Sequence, residues 1–327
     1  MTPDSQRITL IDVPTEAGTH FPGQSKAPQA LRDAGLAQKL QDAGYTTHSK
    51  LALRAPQPWR PTELVNGVRD EENALAVMTQ VFDSVLNTAT GQDGEPKALP
   101  LVLGGDCSIS PAVLKALSSA HADKKVGIVY FDGDADLTLP LKPGESTAGF
   151  TGILDSMVLS HLTQREGGLK SMSDFCSGPG GAALVNERNI VLFGFQPEEL
   201  RTEHWTFLLE GGFKAFTRPA VSKDPAGKAR EALQWLGDRV DAILLHFDVD
   251  VIDSGKFPLG NYPHYAGLMI EEAMAALGVF VGSEKLVGMV LTEVNPNNDP
   301  SGGMVGMLVD GVVGAFAGRM SGCSSEC

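Results

Sequence analysis

The sequence has few cysteines, and it lacks a leader pattern or an anchor pattern. Its four cysteines, Cys107, Cys176, Cys323 and Cys327, form no Cys-x-x-Cys pair, and the N-terminus shows no charged start followed by an apolar stretch. No apolar run in the sequence is expected to be long enough to span a membrane. A cytoplasmic protein with free thiols is therefore expected, apart from an opportunistic disulfide between Cys323 and Cys327 in the tail.

Positive charge is also scarce. The chain carries 26 lysines and arginines against 40 aspartates and glutamates, so its formal net charge is -14. This balance argues against nucleic acid or an anionic membrane as a partner. The 327 residues leave room for one large α/β domain or for two smaller ones.

The sequence does contain two apolar runs that each end in alternating carboxylates. Val126 to Phe131 leads into Asp132, Asp134 and Asp136, and Ala242 to Phe247 leads into Asp248 and Asp250, with Asp253 just beyond. Because side chains repeat every two residues on an extended chain, the acids of each cluster are expected on one side of a strand end. Such close carboxylates repel one another unless a cation lies among them. Either cluster alone is consistent with solvated loop acids, but the two together predict a metal-binding floor.

Short strands alternate with helices along the chain. Strands are predicted at 8–13, 99–103, 126–131, 190–195, 213–216, 242–247 and 286–291, helices at 27–43, 71–88, 111–119, 155–162, 225–236, 270–279 and 304–317, and little regular structure at 45–70. This alternation predicts a three-layer α/β/α fold with a mostly parallel central sheet. Without a repeat or linker, residues 1–327 are expected to form one domain, with about 319–327 a flexible tail. Every acidic motif falls at the carboxyl end of a strand, where such sheets bind ligands.

Four motifs in this order resemble the ureohydrolase superfamily, the arginase-like and agmatinase-like enzymes. They are Gly104-Gly-Asp-Cys-Ser108, Asp132-Gly-Asp-Ala-Asp136, Phe247-Asp-Val-Asp-Val-Ile-Asp253 and Thr292-Glu-Val-Asn-Pro296. The resemblance covers most of the chain and implies a single arginase-like α/β domain with a two-manganese site. It also implies hydrolysis of a guanidino or amidine compound to urea and an amine through a metal-activated hydroxide, and assembly into trimers or hexamers.

The resemblance implies a metal-ligand set when it is carried over position by position. This set is Cys107, Asp132, Asp134, Asp136, Asp248 and Asp250. The family usually has histidine where this chain has Cys107 and Asp134, yet both replacements can bind metal, which favours a retained site. The excess negative charge must be relieved by a protonated thiol or carboxyl, a nearby cation, or an occupancy unlike the family's. Up to two manganese ions suit this oxygen-rich set, with magnesium, iron or zinc conceivable.

The resemblance also implies roles in catalysis and substrate binding. Glu293 would orient a cationic guanidinium, and Asp155, at the position of a proton-shuttling histidine, would pass a proton to the leaving amine. The pocket-shaping positions are Thr138, Thr151 and Tyr262, of which the larger Tyr262 suggests a substrate shaped unlike arginine. His161 is a candidate base and His246 a candidate support for a metal-bound carboxylate, but each can equally be a structural histidine. The loop residue His264 has no assigned role.

Two other functions stay open. Cys107 follows a Gly-rich turn at the start of a helix, where a thiolate is favoured, so its thiol could itself attack an amidine carbon. Alternatively, the chain is a ureohydrolase-like subunit that has lost its histidine ligands and acts as a structural or regulatory partner. Metal content separates these interpretations, because a decayed site should be empty after purification.

Overall fold

The fold is built around one large parallel sheet. A computed structural model describes residues 6–92, 94 and 96–323, with side chains described as far as Ser321. The strands are β1 (Arg7–Asp12), β2 (Thr46–Leu51), β3 (Leu64–Val65), β4 (Val68–Arg69), β5 (Leu99–Leu103), β6 (Val126–Phe131), β7 (Ile190–Phe193), β8 (Lys214–Phe216), β9 (Ala242–Asp248) and β10 (Leu286–Thr292). Eight of them form a sheet in the order β2-β1-β5-β10-β9-β6-β7-β8 with parallel pairing, and β3 and β4 form a small hairpin.

Helices cover both faces of this sheet. They are α1 (Ala27–Asp33), α2 (Leu36–Asp42), α3 (Glu71–Thr90), α4 (Ser110–Ala120), α5 (Val158–Leu162), α6 (Lys170–Phe175), α7 (Thr202–Gly211), α8 (Arg218–Lys223), α9 (Pro225–Gly237), α10 (Ile270–Val281) and α11 (Gly303–Cys323). One apolar core lies under α1, α2 and α8 to α11, and the other lies under α3 to α7. Strands β5, β6 and β9 are buried at every position because both of their faces meet helices. The predicted three-layer α/β/α fold with a parallel sheet is confirmed.

The structure differs from the sequence prediction mainly in polar segments and in short helices. The helix predicted at 27–43 is two helices, since Gly35 between them has a φ of 86°. The region 45–70 was wrongly predicted to be irregular, because the polar strand β2 lies at the edge of the sheet with four of its six residues exposed and none fully buried. The helices α6, α7 and α8 were not predicted. The segment 155–162 begins as a 3₁₀ turn at Asp155–Met157 before α5.

The last helix is longer than predicted. It covers residues 319–323, which were expected to belong to a flexible tail, and residues 324–327 lie outside the described part of the chain. The expected Cys323–Cys327 disulfide therefore falls outside the described side chains. From the sequence, no segment was expected to be long enough to span a membrane. By length and composition alone, however, this helix could cross a membrane. A stripe of its residues, including Leu308, Val312 and Phe316, is buried in the core instead, as in a packed helix of a globular domain.

Candidate active site

A cavity of about 330 Å³ opens at the carboxyl ends of the central strands. It is lined by every residue predicted for the site except His161 and the candidate supporting residue His246; the lining residues among them are Cys107, Asp132, Asp134, Asp136, Thr138, Thr151, Asp155, Asp248, Asp250, Tyr262 and Glu293. Phe150, Arg201 and His264 also line it, and the sequence did not single them out for the site. Because β5, β10, β9 and β6 are neighbours in the sheet, their carboxyl ends bring these distant segments together.

The side chains of two aspartates are held by backbone hydrogen bonds where the chain leaves strands β6 and β9. Asp132 accepts a hydrogen bond from the backbone N–H of Asp134 at 2.7 Å, and Asp248 accepts one from the N–H of Asp250 at 2.8 Å. Each bond closes a tight side-chain turn two residues long. The chain then stops being extended, since Val249–Val251 is a 3₁₀ turn and Asp136 has a φ of 45°. The expected simple alternation of carboxylates on one side therefore ends after the first acid of each cluster.

Four side-chain donors converge at the base of the cavity. One ligand atom each from Cys107, Asp132, His246 and Asp248 lies within 4.8 Å of all the others, and the four residues are buried. The Cys107 Sγ atom is 2.7 Å from Asp248 Oδ2 and 3.6 Å from His246 Nε2. The same Nε2 atom is 3.1 Å from Asp132 Oδ2. This cluster includes three of the predicted ligands and one histidine that the resemblance did not assign.

His246 belongs to this cluster because it lies two residues before Asp248 on strand β9. Alternate residues of a strand share a face, so this histidine and the aspartate point to the same side of the sheet. The ring stacks on Tyr130 of β6 at a centroid distance of 4.1 Å, and its Nδ1 atom is 2.9 Å from Ser110 Oγ. The period-two pattern was a signal that could have placed His246 at the metal site from the sequence.

The other predicted ligands have carboxylates that contact protein donors. Asp136 accepts a hydrogen bond from the Tyr130 hydroxyl, and Asp134 accepts one from the N–H of Ala135 at 2.6 Å. Asp250 accepts from the N–H of Gly133 at 3.1 Å, and its other oxygen lies 3.4 Å from His264 Nε2. These contacts divide the six expected ligands into three that converge with His246 and three that do not.

Burial and mutual repulsion govern the ionisation of the acids. Burial raises the pKa of Asp132, Asp136, Asp155, Asp248 and Glu293 well above the ordinary value, and neighbouring carboxylates raise it further. Burial also acts to raise the pKa of Asp250, but the charge and hydrogen bonds of His264 prevail and lower it. The site therefore carries more acidic groups than its own cations can balance.

Cys107 does not have the environment of an activated nucleophile. Burial raises the pKa of its thiol well above the ordinary value, and the charges of Asp248 and Asp132 raise it further. The expectation that the start of the helix favours a thiolate at this position is wrong for the metal-free site, because surrounding carboxylates outweigh the partial charge of the helix end. A bound cation would reverse this balance.

Glu293 and Asp155 face the cavity from two different segments. Glu293 follows β10 with a φ of 64°, and it accepts hydrogen bonds from the N–H of Cys107 at 3.1 Å and from the Gln24 side chain. Asp155 accepts a hydrogen bond at Oδ1 from the N–H of Ser156 at 2.6 Å. Its Oδ2 atom is buried and has no hydrogen-bond partner among the described residues, so it is available to a ligand.

The structure does not bring His161 to the cavity. Its Nε2 atom accepts a hydrogen bond from the backbone N–H of Leu169 at 3.3 Å, and burial lowers the pKa of the ring to about 4. Its ring faces a small pocket lined by core residues such as Met78 and Leu154. The expectation that His161 acts as a base is not supported by this position, and the alternative of a structural histidine fits it.

The donor chemistry fits one divalent ion better than the pair implied by the resemblance. The converging atoms are one sulfur, one imidazole nitrogen and two carboxylate oxygens, a set that divalent transition metals accept. Among the described residues no second group of three or more such donors converges, and Asp134, Asp136 and Asp250 lie outside the first group. One ion therefore fits these residues, and two do not fit them as they stand.

Comparison with known proteins gives consistent matches over nearly the whole chain. The model of the Arginase family matches residues 6–317. The arginase of Staphylococcus aureus (strain MRSA252) is 28% identical over 316 residues, which are 95% of this chain and 97% of that protein.

Two solved structures share the fold. Entamoeba histolytica arginase in complex with L-ornithine has a TM-score of 0.79 at 20% identity, over 96% of this chain and 99% of that chain. A variant of Trypanosoma cruzi formiminoglutamase with Mn²⁺₂ has a TM-score of 0.69 at 17% identity, over 98% of this chain and 95% of that chain.

Proposed function

The chain belongs to the arginase family, and from that premise we propose that it is a metal-dependent hydrolase of a small cationic guanidino or amidine compound. The observation that carries this proposal is the acidic cavity, which is lined by seven carboxylate residues and by only two basic residues, Arg201 and His264. A cavity of this charge favours a cationic ligand. Its volume of about 330 Å³ suits a small molecule.

The reaction would break one carbon–nitrogen bond. Water adds its oxygen to the central carbon of the guanidinium, the bond from that carbon to the substituted nitrogen breaks, and urea and an amine are released. The water loses both protons as its oxygen becomes the carbonyl oxygen of urea, and the leaving nitrogen gains both and departs as an ammonium, so no other reactant is needed. A divalent ion at the base of the cavity would lower the pKa of a bound water so that it can attack near neutral pH.

Asp155 is suited to give a proton to the leaving amine. Its Oδ2 atom lacks a partner among the described residues, and burial raises the pKa of its carboxyl well above the ordinary value. A raised pKa favours the protonated form of this carboxyl, which is the form that acts as a general acid. This supports the role that the resemblance implied for position 155.

Glu293 is suited to orient the planar cation. Its backbone is held by a hydrogen bond from its N–H to the carbonyl of Gly105 at 2.9 Å, and its carboxylate is held by Cys107 and Gln24. A fixed carboxylate can accept two hydrogen bonds from a guanidinium. Thr138, Thr151 and Tyr262 line the rest of the cavity and would shape its substrate.

The experiment is a screen for urea and amine release with arginine, hydroxyarginine, agmatine and guanidino acids, after loading with manganese, zinc or cobalt. We expect release of urea and amine in equal amounts for at least one substrate. Asp155→Asn should lower kcat by about 10²–10⁴-fold with a smaller change in KM, and Asp248→Ala should abolish both activity and metal binding. Asp253→Asn is the matched control, because Asp253 follows the same strand but does not line the cavity.

Failure of this screen has a defined meaning. A protein that releases no urea, amine or ammonia from any of these compounds with any of the metals is not a hydrolase of this class. The chain would then be a non-catalytic subunit of the family. Location in the cytoplasm stays a prediction from the sequence composition, and manganese as the metal and assembly into trimers or hexamers stay predictions of the resemblance.

A further inference from the structure

We infer that the site binds a single transition-metal ion through Cys107, Asp132, His246 and Asp248, with zinc or cobalt preferred over manganese. The inference rests on the proposed function for its place in a reaction, but the binding can be measured without turnover. It differs from the expected set in two ways: His246 is a ligand, and no second ion is held.

The four donors lie close enough together to surround one tetrahedral ion. Metal–ligand bonds of about 2.0–2.3 Å place tetrahedral donors about 3.3–3.8 Å apart. The observed separations around Cys107 Sγ are 2.7 Å to Asp248 Oδ2, 3.6 Å to His246 Nε2 and 3.9 Å to Asp132 Oδ2. The 2.7 Å separation is about 0.6 Å below this range, so Cys107 Sγ and Asp248 Oδ2 would have to move apart to bind one ion.

His246 has the arrangement usual for a metal-binding histidine, in which one ring nitrogen faces a hydrogen-bond partner and the other faces the metal site. Its Nδ1 atom faces Ser110 Oγ at 2.9 Å, and its ring is stacked on Tyr130 with an interplanar angle of 8°. When Nδ1 donates its hydrogen to the Ser110 hydroxyl, Nε2 is left without a hydrogen and can bind the metal. Nε2 faces the sulfur and the carboxylates, so His246 offers the imidazole that the chain lacks at position 107.

The neighbouring positions do not form a second site of the same quality. Asp250 has one oxygen on the N–H of Gly133 and the other beside His264, whose ring is also bound to Glu199. Asp136 is bound by the Tyr130 hydroxyl. A second ion at Asp250 would have to compete with the imidazole ring of His264 for this carboxylate, and among the described residues no second group of three donors converges.

The donor set also selects among metals. Manganese prefers oxygen donors and stands at the weak end of the affinity series of divalent first-row metals, whereas thiolate and imidazole favour zinc and cobalt. Metal binding deprotonates a coordinating thiol, so the raised pKa of the Cys107 thiol in the metal-free site does not prevent this residue from acting as a ligand. The replacement of histidine by cysteine at position 107 therefore changes the preferred metal.

The test uses cobalt as a spectroscopic probe on the full chain with Cys323→Ser and Cys327→Ser, so that the tail thiols do not contribute. We expect one cobalt or zinc ion per chain by elemental analysis, and a near-ultraviolet thiolate-to-cobalt charge-transfer band. Cys107→Ser should remove that band, while Cys176→Ser should keep it, because Cys176 is also buried and free but lies away from the cavity. His246→Gln should weaken cobalt binding by at least about 10-fold, and Ser110→Ala by about 10-fold.

The outcomes separate this inference from the proposed function. Two manganese ions per chain, or a cobalt band that survives Cys107→Ser, would overturn the inference, and urea release by such a protein would leave the proposed function standing. One zinc or cobalt ion bound through Cys107 with no hydrolysis of any substrate would support the inference and reject the function. Thermal melting of each metal-free variant identifies any that fails to fold, and the Ser110→Ala variant, which keeps all four ligands, then supplies the affinity test.

Discussion

The Nε2 atom of His264 lies 3.4 Å from Oδ2 of Asp250, although the two residues belong to different segments of the cavity wall. The other ring nitrogen of His264 lies 2.6 Å from Glu199 Oε2. Burial lowers the pKa of this ring, but Asp250 and Glu199 outweigh it and raise the pKa well above the ordinary value. His264 therefore supplies positive charge inside a site that is otherwise rich in acids.

The fit of this ring depends on Gly133. A Cβ atom at that position would lie 2.7 Å from His264 Cδ2 and 3.0 Å from two oxygens of Asp250. We expect Gly133→Ala to lower the free energy of unfolding by about 1–3 kcal/mol through overpacking, and to reduce metal binding because Gly133 directly follows the ligand Asp132. Urea denaturation measures the first effect and metal titration the second.

Gly278→Ala is the matched control for this change. Gly278 lies within helix α10, and nothing comes within 4 Å of a Cβ placed there. Alanine should stabilise the helix by about 0.5–1 kcal/mol. A Gly133→Ala protein as stable as the wild type would show that the contact of His264 with this part of the wall is not tight.

Asp155→Asn should stabilise the metal-free protein while it removes activity. Because the pKa of Asp155 is raised in the folded state, the folded protein keeps a proton that the unfolded chain releases, and stability falls as pH rises above the unfolded pKa. Asparagine has no such penalty, so we expect a gain of about 0.5–2 kcal/mol that is larger at pH 8 than at pH 5. Denaturation at both pH values, with Asp253→Asn alongside, measures it, and an equal gain at both would contradict the ionisation argument.

The sequence allowed the central strands to be predicted because their burial leaves a strong signal. Strands β5 and β6 have the predicted bounds, and β9 and β10 differ from them by one residue. Burial on both faces demands continuous apolar residues, which are easy to recognise. The polar edge strand β2 gave no such signal, since its pairing with β1 comes from backbone hydrogen bonds.

Only the part of the candidate site that lies in recognisable sequence motifs could be predicted. Motifs at the strand ends located the acids of the cavity, but the convergence of His246 with Cys107 depends on neighbouring strands that the sequence does not order. His264 reaches Asp250 through the folded path of its loop, which is fixed by paired hydrogen bonds between His264 and Ser254. Loop paths of this kind leave no periodic pattern in a sequence.

His161→Gln should change the acid sensitivity of the fold and leave activity unchanged. The pKa of His161 is lowered from 6.5 to about 4 by burial, so the folded ring stays neutral while the unfolded ring takes up a proton as pH falls through this range. Stability is therefore lost between pH 6.5 and 4, by up to about 3 kcal/mol for a shift of this size. Glutamine can still accept the hydrogen bond from Leu169 and does not titrate.

Urea denaturation between pH 7 and 4 compares the two proteins. The wild type should lose stability more steeply than His161→Gln on going to low pH, and the two should have the same kcat at neutral pH. A large loss of kcat in the variant would instead return His161 to the catalytic residues.

Tyr262→Ala should change which substrates are accepted. The Tyr262 side chain lines the cavity, and its hydroxyl is held 3.3 Å from both Thr19 Oγ1 and the N–H of His20. Removing a ring that is fixed in this way enlarges the cavity, so kcat/KM for bulky guanidino compounds should rise relative to small ones by about 10-fold or more. Tyr265→Ala is the control, because Tyr265 lies three residues away in the same loop with 69% of its surface exposed. Ratios of kcat/KM across a series of guanidino compounds of increasing size measure the effect. The same ratios in both variants would mean that Tyr262 does not limit the size of the substrate.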